Sequence, residues 1–591
     1  MVSTLTLVLA GVLLYTVVAM ALKQRRILPE YFKVSGPLLT IHSQRGKALL
    51  NRLAQRRRFW RAWANVGVGI ALLLLVALFA VVLLSAYQNI TSPNLSPIQN
   101  PQDVLVIPGV NQFLPLSAAP DIIIGLLVGL VVHEGGHGLL CRVEDIGISS
   151  MGVVLFSLIP IGAFVEPDEE ERAVANRGAQ TRMFAAGVTN NFAVTVVAFA
   201  LLFGPVTGAI SVAAGVPVGG SLPGSPAENA GIGHGDRITA VNGTNVTDLQ
   251  SLQNASDATN GGTVRVTLQD DTEVTVDRAA FVTRAVPNGP FDVETGDRIA
   301  SINGTPVDTE RGFEDAMHQR RVATVTTENG TTSTGPVGAY LIVARDGPLL
   351  DGTDLSTGDA VVVTAMDDRR IVDADALRGA LADTDPGTSV ELQLYRDGGF
   401  ENHTVELGEN PDTGGALIGA ASIATGTTGL AVNDLGVRPY PADLYLELVS
   451  GDGLLGGLGD GSLGRILLVL LMLPFAAAVS PGLGYNFAGF LDPITNFYAV
   501  SGPLAAAGDG MVFFLANVLF WTGWVNFNLG LFNCIPAFPL DGGHILRTST
   551  EAILSRTPLD HRRHVTAVTT SIGLIMLFSL LAMVFAPRLL G

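Results

Sequence analysis

The chain has 591 residues, 48% of them hydrophobic and 15% charged, with a net charge of −18 and a mean hydropathy of +0.41. So high an apolar fraction excludes a disordered chain, and the negative balance argues against a nucleic-acid partner, which would need a basic face. Two cysteines cannot build a disulfide framework.

Apolar runs long enough to cross a bilayer, about 20 residues, occur near 2–22, 64–86, 120–143, 183–210, 464–480, 511–535 and 566–587. Between 212 and 440 there is none, and that stretch holds 33 Asp and Glu against 14 Arg. The acidity therefore belongs to one soluble insert in an otherwise nearly neutral membrane protein. The first run lacks a basic leader and is followed by Lys23, Arg25 and Arg26, which predicts a retained helix with its N-terminus outside. Residues 23–61 hold 11 of the 35 basic residues and one acid, Glu30, so the positive-inside rule makes that loop cytoplasmic. Alternation then puts 87–119 and the acidic insert outside the cell. Arg547, Arg556, Arg562 and Arg563 mark a second cytoplasmic loop, so 464–506 must cross twice or dip in and return.

The 120–143 run contains His133-Glu134-Gly135-Gly136-His137. Two histidines four apart lie on one helical face and reach one metal ion, and Glu134 is placed to take a proton from water there. Ionisable residues are costly in a bilayer helix and functional by default. Zinc in a catalytic site takes three protein ligands and keeps one position open. Asp541 is a good third ligand, because Pro536, Pro539, Gly542 and Gly543 break the helix around it, and irregular backbone at membrane depth lines cavities. His544, Cys141 and Cys534 compete for that role.

These motifs resemble the site-2 protease family of intramembrane zinc metalloproteases. The resemblance rests on His133-Glu-Gly-Gly-His137 and on Asn533-x-x-Pro536-x-x-x-Leu540-Asp541-Gly542, with Pro108-Gly109-Val110-Asn111, Pro160–Val165 and Ala186–Phe192 between and before them. It implies that His133, His137 and Asp541 bind Zn2+, that Glu134 is the base, and that Asn191 and Asn533 position substrate. Phe538 stands where many bacterial members carry proline. The tract 151–165 looks like the family's re-entrant substrate-binding hairpin. The implied substrate is a membrane protein with a transmembrane helix, cut after a first cleavage outside. A membrane-anchored adaptor or metal-binding protein without proteolysis is the alternative.

Within the insert, Gly235-Asp236-Arg237-Ile238 followed by Asn242-Gly243 recurs as Gly296-Asp297-Arg298-Ile299 followed by Asn303-Gly304, with a weaker copy from Gly358-Asp359. The pattern resembles the tandem PDZ domains of membrane proteases, which capture a peptide, often a C-terminus, at a sheet edge. The expected fold is thus an α-helical polytopic membrane protein with an extracytoplasmic α/β insert of tandem PDZ-like domains. Its expected parts are an N-terminal region (1–119), a first core half (120–211), PDZ-like units at 212–280 and 336–412, a shorter degenerate unit at 281–335, a linker at 413–463 and a second core half (464–591). The rarity of lysine (Lys23, Lys33 and Lys47 only) with the excess of acid resembles proteins of halophilic archaea.

Overall fold

The computed structural model describes residues 4–25, 27–29, 31–91, 107–109, 114–157, 159–259, 261–410, 414–450, 471–476, 485–557 and 561–590. Two compact units result. One combines Met1–Ser211, Asp443–Leu491 and Val500–Gly591, and the other combines Val212–Ala442 with Asp492–Ala499.

The first unit holds helices α1 (Thr4–Gln24), α2 (Gln44–Leu53), α3 (Arg57–Thr91), α4 (Ala119–Val143), α5 (Glu169–Val174), α6 (Arg177–Leu201), α7 (Asp509–Asn533), α8 (Asp541–Leu554) and α9 (His561–Leu590). Among the described residues, five helical stretches are long and apolar enough to cross a membrane: Arg57–Thr91, Leu116–Val143, Arg177–Ala209, Asp509–Asn533 and Arg563–Ala586. The run at 464–480 and the Val110-Asn111 motif fall largely or wholly outside the described residues.

Helices α4, α6 and α7 pack on one another. Small residues allow the close approach: a Cβ on Gly125 would lie 2.8 Å from the Trp521 carbonyl, and one on Gly136 would lie 2.8 Å from the Ala186 carbonyl oxygen. Around them Leu140, Val143, Met183, Ala186, Cys534 and Ile545 form a buried cluster. At one end of the helices the Glu144 carboxylate, 3% exposed, accepts from Arg61 Nε at 3.0 Å and from Arg182 Nε at 2.8 Å. On the outside of the bundle, α3 and α9 expose Leu73, Val76, Leu84, Leu577 and Phe578. Those apolar faces suit lipid rather than water.

A four-stranded antiparallel sheet lies beside α4. Its strands are β1 (Phe32–Ser35), β2 (Leu38–His42), β3 (Ile148–Phe156) and β4 (Ile159–Pro167), in that order. The β3–β4 hairpin covers the tract read above as a hairpin, but it does not stand alone. Leu39 pairs with Leu155 and Ile41 with Val153, so part of the basic segment 23–61, expected only as a loop, is sheet. β1 and β4 are its edge strands, and β4 is the one beside α4.

The second unit consists of three repeats of one design. In each, a five-stranded antiparallel path runs through four strands in sequence order, a two-residue strand pairing with the second of them, and ends on a strand from much further along. The first uses Val216–Ser221, Arg237–Val241, Thr263–Leu268 and Glu273–Asp277 and is completed by Val437–Pro439. The second uses Ala280–Ala285, Arg298–Ile302, Val322–Thr327 and Thr332–Pro336 with Leu430–Asn433, and the third Ala339–Val343, Ala360–Met366, Ser389–Arg396 and Gly399–Glu406 with Ala420–Ile423. Residues 413–463, read from sequence as a linker, therefore supply a strand to every sheet. The repeats close in reverse order, third, second, first.

The recurring Gly-Asp pairs have a physical cause. Gly235, Gly296 and Gly358 sit at φ of +94°, +103° and +88°, a region open to glycine. The following aspartates accept backbone amides three residues back, from Gly233, Glu294 and Ser356. One helix per repeat follows (Leu249–Asp257, Glu310–His318, Ala374–Ala382). Asp248, Thr309 and Asp373 cap these helices by accepting an N3 amide. The middle repeat, short in sequence, has its own buried core around Phe291, Phe313, Met317 and Val325.

Candidate metal centre

Helix α4 carries His133 and His137 one turn apart, and α8 begins at Asp541. The chain turns sharply between α7 and α8. A Cβ on Gly542 would fall 2.3 Å from the Ile535 carbonyl oxygen, so only glycine lets the first turn of α8 fold back against the end of α7. That turn brings Asp541 Oδ2 to 3.2 Å from His133 Nε2 and 3.3 Å from His137 Nε2, and the two imidazole nitrogens lie 3.2 Å apart. All three residues are buried.

Three lone-pair donors thus form a nearly equilateral triangle. A tetrahedral ion with bonds of about 2.0 Å sets its ligand atoms roughly 3.3 Å apart, so the donor set fits zinc. Asp541 Oδ2 is also buried without a hydrogen-bond donor, which is costly for a carboxylate unless a cation serves it. Among the competitors, His544 stacks flat on Phe184 at 4.4 Å and meets Phe538 edge-on at 5.0 Å. Cys141 and Cys534 are buried thiols in the apolar cluster, and neither joins the triangle.

Each imidazole is oriented from behind. His137 Nδ1 donates to the Met183 carbonyl at 2.8 Å, which fixes its tautomer and turns the Nε2 lone pair to the centre. Behind His133, the Asn191 carboxamide lies 3.2 Å from Nδ1, and Asn191 Oδ1 is buried without a partner. A half-turn of the amide lets Nδ1–H donate to Oδ1, satisfying both groups and freeing Nε2. Glu134 Oε2 accepts the Val165 amide of edge strand β4 at 2.9 Å, so the carboxylate between the histidines is held by the sheet. Asn533 donates to the Leu529 carbonyl of its own helix at 2.9 Å.

Sequence reasoning missed two contributors. A Cβ on Gly187 would come within 2.7 Å of both His133 Cε1 and His137 Nε2, so this glycine makes room for the imidazoles. A mid-helix glycine was the available signal. The Val165 amide left no signal, because a backbone donor is independent of side-chain identity.

Spanning helices around a buried His-His-Asp group define a membrane metalloenzyme. The sequence pattern of peptidase family M50 matches residues 121–580, and the chain belongs to that family of site-2 protease-type metalloproteases. A putative zinc metalloprotease of Vibrio cholerae is 25% identical over 500 residues, covering 78% of this chain and 95% of that protein. An uncharacterised protein of Methanocaldococcus jannaschii is 48% identical over 40 residues, 7% of this chain and 11% of its own length.

Proposed function

We propose that the protein is an intramembrane zinc endopeptidase that cuts a transmembrane segment of a membrane-bound protein, in the manner of regulated intramembrane proteolysis. The observation that carries this reading is the 3.2–3.3 Å triangle of His133, His137 and Asp541, set beside Glu134 in a helix long enough to span a bilayer. Zinc held there supplies the Lewis acidity that polarises a peptide carbonyl and acidifies water.

The remaining steps belong to the chain's own groups. A helical substrate has its amides bonded internally and must unwind before it can be cut. The edge of β4 away from Val165, whose amide serves Glu134, then receives the extended segment by strand addition, which places its backbone beside α4. Glu134 takes the proton from attacking water and returns it to the leaving amine. Asn191 is a positioning residue that acts through His133. The family resemblance also gives Asn533 a substrate-positioning role. The three insert repeats, read as PDZ-like modules on the extracytoplasmic side, filter or sense a trimmed substrate, with a peptide C-terminus as the natural ligand.

The test is Glu134→Gln in purified full-length protein with a membrane-embedded substrate. Cleavage falls at least a hundredfold while zinc content stays at one per chain. Undiminished cleavage by the variant overturns the assignment. A wild type that binds zinc but cleaves nothing supports the adaptor reading instead.

A further inference from the structure

A cavity of about 450 Å3 opens where α2, the first turn of α3 and the last turn of α4 meet, lined by Asn51, Gln55, Arg57, Arg142, Asp145 and Glu171. Its charges are unequally engaged. Arg57 grips Asp145 at two points, Nη1 to Oδ2 at 2.7 Å and Nη2 to Oδ1 at 2.5 Å. Glu171 Oε2 accepts the Gly147 amide at 2.5 Å. Arg142 makes no hydrogen bond or ion pair among the described residues, and its Nε is shut off from solvent without a partner.

The surroundings indicate where such a cavity sits. One spanning helix starts at Arg57 and another ends at Val143, so the cavity lies at a membrane boundary. α2 and the start of α3 expose Leu49, Leu53 and Phe59 beside exposed Arg52, Arg56 and Arg58. Apolar and basic side chains in that mixture suit a segment lying in the headgroup layer. A guanidinium presents a planar fork of donors matched to phosphate oxygens, and Asn51 and Gln55 add neutral amide donors at the rim.

We propose that this cavity binds a phosphate group, with Arg142 as its charged ligand and Asn51 and Gln55 as neutral ones. A lipid headgroup and a free phosphate offer the same chemistry, and two measurements separate them. The first titrates full-length protein in dodecyl maltoside with inorganic phosphate by calorimetry. The second takes protein from nanodiscs of dioleoyl phosphatidylglycerol and counts retained lipid by native mass spectrometry.

One ligand per chain is expected in at least one measurement. Arg142→Gln should weaken it at least tenfold. Gln55→Glu, which adds a like charge at an exposed position without touching packing, should weaken it severalfold. Saturation by inorganic phosphate assigns a free phosphate, and retained phosphatidylglycerol assigns a headgroup. Zinc content reports folding, and if Arg142→Gln loses zinc, Gln55→Glu decides. Absence of stoichiometric binding in both measurements, or unchanged binding in zinc-replete variants, overturns the proposal.

Discussion

Gly187 faces the two imidazoles with no room for a methyl group. Gly187→Ala is therefore expected to displace one histidine and to cut zinc content per chain by at least half, read by metal analysis of purified protein. A second residue-scale prediction concerns the buried pair Arg278–Asp434, 3.2 Å apart with side chains 3% and 5% exposed. Arg278 also donates to the carbonyls of Ser256, at 2.8 Å, and Thr259, at 2.9 Å, while Asp434 Oδ1 accepts the Glu310 amide at 2.5 Å. Asp434→Ala strands a buried guanidinium, and the expected loss is about 3–5 kcal/mol, visible as a lower melting temperature. Beside it, Glu310 is pushed up to about 8 by burial and by the Glu314, Asp434 and Asp257 carboxylates. A carboxyl raised in the folded state binds a proton there that the unfolded chain has released. Stability contributed by Glu310 is thus greatest below the unfolded value of about 4.5 and declines as pH climbs from there towards 8. Glu310→Gln should flatten that decline in a melting series from pH 4.5 to 8.

At the scale of elements, legibility followed the range of the interactions. His133 and His137 could be read because a helix places i and i+4 on one face. The β3–β4 hairpin is expected from the family resemblance of the tract 151–165. What escaped was pairing over distance. Nothing in Leu38–His42 announces that its partner is Gly152–Phe156, and nothing in Val437–Pro439 announces Val218–Ser221. Strand pairing is a property of two segments, and neither alone names its partner. Its motif already favours Asp541 over His544, Cys141 and Cys534, and the turn at Gly542 shows how the backbone brings it to the histidines. The Gly-Asp repeats were visible as a pattern, whereas their cause, a positive φ and an amide-accepting carboxylate, is a matter of backbone geometry.

Over the whole molecule, the unit of three sheet repeats is nested. The third repeat lies inside the second, and the second inside the first, each sealed by its own late strand. The two ends of the innermost repeat meet: the Thr428 amide donates to the Gly338 carbonyl at 2.7 Å, and the Gly338 amide to Thr428 Oγ1 at 3.1 Å. Removing residues 339–427 and joining 338 to 428 should therefore leave the outer two sheets intact, with zinc retained and a melting temperature within about 5 °C of the parent. Aggregation of the shortened chain would show that the innermost repeat is needed to fold its neighbours. The nesting also orders events in time. His133 and His137 are synthesised early, yet Asp541 emerges only after the strands at 420–423, 430–433 and 437–439. About 100 residues still separate the last of these from Asp541, on the order of ten seconds of translation. The chain thus carries its own delay: the sheet repeats have their sealing strands in hand before the last member of the His-His-Asp group exists, and a half-made chain has no complete centre.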